Sequence, residues 1–292
     1  MWLGWILASC GVLSLYDLCK KASVRGNAVF PVLLGSTASG FLAVGIFLAM
    51  RGRFAETLAV TGGEAALLLL KSCIVGASWT ATYLALRTLP ITCAAPIRAT
   101  GPLWTTLGAV AIFAEIPTPV QAAGMALAFC GCWLFSLSAR HEGVDFWRSR
   151  PIAFAFAGTV LGSASALYDK HLLQGLHLPT TTVLFWFLGG MCVIYGAATA
   201  VSCWCGRRRG SAVRFEFRWT IPLVGILLAV SDACYFNAIG MDGAKISVLS
   251  LIRRSSVVLT FLLGGAVFRE TNLRRKAFAL AAILAGVLLL CR

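Results

Sequence analysis

Leu15-Tyr16-Asp17 returns late in the chain as Leu167-Tyr168-Asp169, and Tyr83 returns as Tyr235 at the same spacing. Further along the spacing lengthens slightly: Ile97-Arg98 matches Ile252-Arg253, Phe113 matches Phe268, Glu115 matches Glu270 and Gly131 matches Gly286. The chain therefore reads as two homologous halves, 1–140 and 151–292. Each half holds five apolar runs, and an odd number of crossings turns the second half upside down relative to the first. This predicts an inverted-topology repeat, an arrangement used by secondary transporters with a site near the bilayer midplane.

Composition sets the class. Hydrophobic residues make up 59% of the chain and charged residues 12%, with a mean hydropathy of +0.85; soluble domains carry about 25% charged residues. At roughly 20 residues per crossing, the apolar runs fall at 2–18, 28–50, 64–86, 91–113, 119–138, 152–172, 180–203, 220–240, 245–267 and 273–291. The prediction is an all-α membrane protein of ten transmembrane helices. Runs such as Ala277 to Leu290 are continuous and rich in Ala and Leu, whereas a transmembrane β-barrel needs alternating strands. The longest connections, near 139–151 and 204–219, leave no room for a soluble catalytic or nucleic-acid-binding domain. A net charge of +14 then fits loops resting on anionic headgroups better than nucleic-acid binding. Met1-Trp2-Leu3 carries no basic leader, so the first span is expected to be retained and not cleaved as a signal peptide.

Chemistry of the enzymatic kind finds little support. The 11 cysteines are an odd set, most of them inside apolar runs, and read as small packing residues with free thiols. Cys130-Gly131-Cys132 and Cys203-Trp204-Cys205 have no histidine nearby, and the three histidines, His141, His171 and His177, form no pair on a helix face. No nucleophile elbow, P-loop or dinucleotide fingerprint is present. No metal or cofactor is expected.

What remains is charge inside the membrane: Asp17, Lys71, Arg98, Asp169, Asp232, Arg253 and Arg254. Each arginine at a helix centre costs about 2.5–3.5 kcal/mol, so the three approach roughly 8–10 kcal/mol unless something faces them. Pro102 cannot donate to the Arg98 carbonyl four residues earlier and pushes it aside, predicting a kinked or opened helix at Arg98. Such breaks are tolerated where they line protein or water. In the matching segment Ser247, Ser250 and Arg254 share one stripe, and Arg253, Ser256 and Thr260 share the next. Two readings stand: a polar lining shared by the halves, or an ionic lock in which the arginines pair with Asp17, Asp169 or Asp232. Asp17 and Asp169 stand near span ends beside Lys20 and Lys170, where they read as interfacial charges, ion-pair partners or proton-coupling groups. Asp232 lies deeper, a candidate for proton coupling or for an ion pair. Lys71 is expected to snorkel toward the surface.

Phe113-Ala114-Glu115-Ile116-Pro117-Thr118-Pro119 and Phe268-Arg269-Glu270-Thr271-Asn272-Leu273, each followed by a Gly- and Ala-rich span, resemble the end-of-fourth-helix signature of the drug/metabolite transporter superfamily, in its ten-helix EamA-type branch. The resemblance implies alternating access, cytoplasmic termini and a small-molecule substrate drawn from a broad range of metabolites and drugs. Arg98 and the Arg253-Arg254 pair look like the phosphate-binding residues of plastid phosphate translocators. Lys and Arg concentrate in the odd-numbered connections, which by the positive-inside rule puts both termini outside; only their lying on one side follows from both.

The expected activity is secondary transport or exchange of a small phosphorylated or carboxylated metabolite. Arg98 with Arg253 or Arg254 would clamp the anion, Tyr83 and Tyr235 would shape the cavity, and a coupling proton or counter-anion would be the other partner. A proton-coupled exporter of drugs or amino acids using Asp232 is the alternative of the same kind. A membrane enzyme or a structural subunit of a membrane assembly is the alternative of another kind. The expected setting is a bilayer, a plasma membrane of bacterial type, with the chain as monomer or homodimer.

Overall fold

The computed structural model describes residues 2–101, 103–105, 107–108, 118–140, 149–208, 214–239, 256–268 and 273–290. Among these every regular element is a helix: α1 (Trp2–Val24), α2 (Val29–Met50), α3 (Phe54–Leu58), α4 (Gly62–Thr88), α5 (Ile91–Ala99), α6 (Pro119–Arg140), α7 (Arg150–Lys170), α8 (Thr180–Arg208), α9 (Thr220–Ile239), α10 (Ser256–Val267) and α11 (Leu273–Leu290). A single π-helical turn, His171–Gly175, follows α7. Five helices, α1, α2, α4, α7 and α8, contain stretches long and apolar enough to cross a membrane. They are compatible with an integral membrane protein, and α6, α9 and α10 carry shorter apolar stretches.

The boundaries follow local chemistry. Thr61 caps α4 by accepting from the Glu64 amide, while the Glu64 carboxylate accepts from the Thr61 amide at 2.7 Å, so two orphan donors are satisfied reciprocally. At the other end of α4 the buried Lys21 ammonium donates to the Leu86 and Leu89 carbonyls, at 2.6 and 2.5 Å. Those carbonyls have no helical partner, so the lysine does the work of a C-cap and fastens α1 to α4. Helix α1 therefore runs well past the predicted boundary at residue 18, taking Lys20 and Lys21 inside. The two halves are joined at this end by Asn27, which donates to the Glu216 carbonyl at 2.7 Å and accepts from its amide at 3.1 Å.

Packing is between halves more than within them. α1 lies on α9 and α4 on α7; α2 lies on both α8 and α9, and α4 also on α8; α5 lies on α10, α7 and α11; α1 also lies on α10, and α6 on α11. Small residues allow these approaches, since without a hydrophobic drive between helices in lipid, association rests on close van der Waals fit and interhelical hydrogen bonds. Ser9 donates to the Ser231 carbonyl at 2.8 Å, and Ser78 to that of Gly158 at 2.7 Å. Between α6 and α11 the fit is closest at two glycines. A Cβ on Gly131 would lie 2.7 Å from the Ile283 amide nitrogen and 3.1 Å from the Ala279 carbonyl; one on Gly286 would lie 2.6 Å from both the Ala128 nitrogen and the Gly124 carbonyl. As the chain ascends α6 its partners descend α11, so the two helices are antiparallel.

Gly131→Ala and Gly286→Ala should each destabilise the protein by about 1–3 kcal/mol, because a methyl group there meets backbone that cannot step aside. Gly196→Ala, where a Cβ meets nothing within 4 Å, should be neutral or stabilise by up to about 1 kcal/mol through helix propensity. Thermal unfolding in detergent measures all three, and equal effects would contradict the seam.

Candidate functional site

An open cavity of about 290 Å³ is lined by α1, α4, α5, α7 and the residues following α5. Helix α5 places Arg98 there and then stops. The Thr100 amide returns to the Ile97 carbonyl at 3.1 Å, only three residues back, and the Leu103 amide returns to Thr100 at 2.9 Å. The chain is thus locally overwound at Arg98 before residues 103–105 resume the helix. Helix α1 supplies Tyr16 and Lys20, and α4 supplies Ser78, Trp79, Thr82 and Tyr83. The opposite wall is Gly158, Thr159, Gly162 and Ser163 of α7.

Asp17 organises the charges. Its Oδ1 accepts from Arg98 Nη1 at 2.5 Å and from Lys20 Nζ at 3.0 Å, and its Oδ2 accepts from the Thr260 hydroxyl at 3.3 Å. The carboxylate is 2% exposed while the Arg98 side chain is 30% exposed. Arg98 and Lys20 line the cavity and Asp17 does not, so it grips both cations from behind. The Lys20 ammonium stands 4.5 Å from the Tyr16 ring centre and 5.9 Å from that of Tyr83, a cation–π arrangement. Two positive groups sharing one carboxylate leave a surplus positive charge on the cavity wall.

The other sequence-predicted residues are dispersed. Tyr83 is buried against the cavity, and its hydroxyl makes no hydrogen bond among the described residues. Asp169 does not join the ion pairs around its sequence counterpart Asp17 and does not line the cavity. It pairs with Lys71 across the two halves, and the Lys71 ammonium sits 5.1 Å from the Phe187 ring centre. Lys71 is 4% exposed, so the expected snorkelling does not occur: with a carboxylate and an aromatic face within reach, the ammonium is solvated by protein and need not reach water. Asp17 is likewise an interior ion-pair partner and not an interfacial charge. Asp232 lies on α9, lining a largely apolar cleft of about 540 Å³ with Arg51, Thr180, Leu184 and Ile226, and it shares a smaller cavity with Tyr16 and Trp79, which also line the candidate site. Arg253 and Arg254 lie outside the described residues, as do Phe113, Glu115 and Glu270 and the side chain of Tyr235.

Lys20 is the site residue that sequence reading missed. Its spacing of three from Asp17 on one helix is the signal that would have found it. Among the described residues no group of three or more His, Cys, Asp or Glu side chains is placed to hold a metal ion.

No family model matches the chain, and no curated protein matches it. A solved structure described only as "Crystal structure of protein" superposes with a TM-score of 0.64, over 97% of this chain and 94% of that one, at 18% identity. The likeness extends over nearly the whole length and concerns the fold alone.

Asp17→Asn should cost about 3 kcal/mol, the low end of the range for breaking a buried pair because Arg98 is partly solvated. The double variant Asp17→Asn, Lys20→Met should recover part of the loss by removing one of the stranded cations. Thermal unfolding and monodispersity in detergent report both, and a double variant less stable than the single would contradict the shared-carboxylate arrangement.

Proposed function

We propose that the protein is a secondary active transporter or exchanger of a small anionic metabolite, phosphorylated or carboxylated, working by alternating access. The observation that carries this reading is the cavity in which Lys20 and Arg98 share the single carboxylate of Asp17 from behind. An anion entering it would complete the charge balance and accept charge-assisted hydrogen bonds from both cations. A volume of about 290 Å³ suits a small metabolite, being near the lower end of ligand sites. Tyr83 and, in the other half, Tyr235 would shape the space, and Arg253 or Arg254 would extend the positive wall.

The architecture we infer is ten transmembrane helices in two inverted five-helix repeats of the EamA type. Exchanging the halves carries α1 on α9 into α7 on α4, α2 on α9 into α8 on α4, and α1 on α10 into α7 on α5. The α2–α8, α5–α10 and α6–α11 packings each map onto themselves. Finer detail supports the same exchange. In the α6–α11 seam Gly124, Ala128 and Gly131 are the mates of Ala279, Ile283 and Gly286. Mates on antiparallel helices support a two-fold axis across the helices, which in a bilayer would lie in the membrane plane; an axis along the membrane normal would leave them parallel. Rocking one half against the other about that axis would expose the cavity alternately.

A second reading, a proton-coupled exporter of drugs or amino acids, draws on Asp232 in its largely apolar cleft. Uptake of phosphorylated and carboxylated solutes into proteoliposomes, with and without a pH gradient, separates the two. Arg98→Gln should weaken anion binding by about 1.5–3 kcal/mol, roughly 10–100-fold, per charge-assisted bond lost, in a protein that stays monodisperse. Normal anion transport by Arg98→Gln, with gradient-driven accumulation abolished by Asp232→Asn, would favour the exporter.

A further inference from the structure

The cavity holds five aliphatic hydroxyls, and all five have already committed their protons. Ser78 donates to the Gly158 carbonyl at 2.7 Å, Thr82 to that of Ser78 at 2.9 Å, and Thr105 to that of Gly101 at 3.1 Å. Thr159 donates to the Ala155 carbonyl at 2.8 Å, and Ser163 to those of Gly101 and Thr159 at 2.9 and 3.0 Å. A hydroxyl has one proton and two lone pairs, so each of these lining residues, with its proton bonded to a carbonyl, is left with accepting capacity. They also sit apart from the charges: the cations come from α1 and α5, and four of the acceptors come from α4 and α7.

Resting on the reading of this cavity as an anion site, we infer that its substrate is a hydroxyl-bearing anion. The acidic group meets Lys20 and Arg98, and hydroxyls on the rest of the molecule donate to the oxygens of the α4 and α7 wall. A bare anion such as phosphate or a simple alkyl carboxylate brings no donors to that wall. It would strip water from acceptors and give them nothing back, a penalty that discriminates strongly when a buried polar group is left unpaired. An ammonium would supply donors too, but the wall already carries surplus positive charge, which disfavours a further cation.

The test uses three phosphates with the same three-carbon chain: propyl phosphate, glycerol 3-phosphate and 3-aminopropyl phosphate. Each is measured as a ligand and transported solute of the full chain in proteoliposomes. Glycerol 3-phosphate should be preferred over both of the others by at least about tenfold, the scale of one or two hydrogen bonds. Thr159→Val, which keeps the side-chain shape and removes the acceptor, should bring the preference over propyl phosphate down several-fold. Thr105→Val serves the same purpose should the first variant fail to fold. Propyl phosphate bound as well as glycerol 3-phosphate, with both lost in Arg98→Gln, overturns the inference and leaves the anion site standing. A preference for 3-aminopropyl phosphate overturns it in favour of an amino-bearing solute. Failure of all three to bind, with Arg98→Gln indistinguishable from the parent protein, overturns the anion site and this inference together.

Discussion

The Asp17 carboxylate is the interaction on which the interior depends. Lys20 is held away from bulk water and Arg98 reaches it only in part, and each alone would be costly to bury. One carboxylate binding both converts two stranded cations into a triad that retains a net positive charge. Its position is set by three helices at once. Asp17 comes from α1, Arg98 from the point where α5 is interrupted, and Thr260 from α10 in the other half. The cluster is therefore also a joint between the halves, and moving any of these helices alters how the charge is shared.

Small polar residues settle the rest. Serines and threonines let helices approach closely and return their protons to backbone carbonyls, on their own helix or on the next. One economy serves two ends: the bonds of Ser78 and Ser163 to Gly158 and Gly101 stitch α4 to α7 and α7 to the end of α5, and they fix the hydrogen-bonding character of the space between. Lys21 applies the same logic at larger scale, with an ammonium spent on the last carbonyls of a neighbouring helix.

Much of the helix layout was legible in the sequence, because apolar run length and turn residues are local signals. The predicted starts of α2, α6, α8, α9 and α11 fall within a residue of the observed ones. Charge misled the reading at α1, where Asp17 beside Lys20 looked like an approach to the surface and the span was ended before Lys21. Their burial depends on partners at positions 86, 89 and 98, and nothing in local spacing announces those. The same holds for Lys71 and Asp169, which meet only because α4 of one half lies on α7 of the other. The interruption at Arg98 was legible because a proline four residues on is a covalent fact. Whether Arg98 served as anion clamp or ionic lock stayed open in the sequence; the structure shows the pair with Asp17, made by a residue that also lines the cavity.

The α6–α11 seam is symmetric in backbone and unequal in volume. Gly131 faces Ile283, whereas its mate Gly286 faces Ala128. Were the halves to exchange conformations as proposed, perfect symmetry would make the two resulting states equal in energy. A bulkier side chain on one side of the seam would lift that degeneracy, so a resting preference for one orientation would be written partly into a pair of residues outside the cavity.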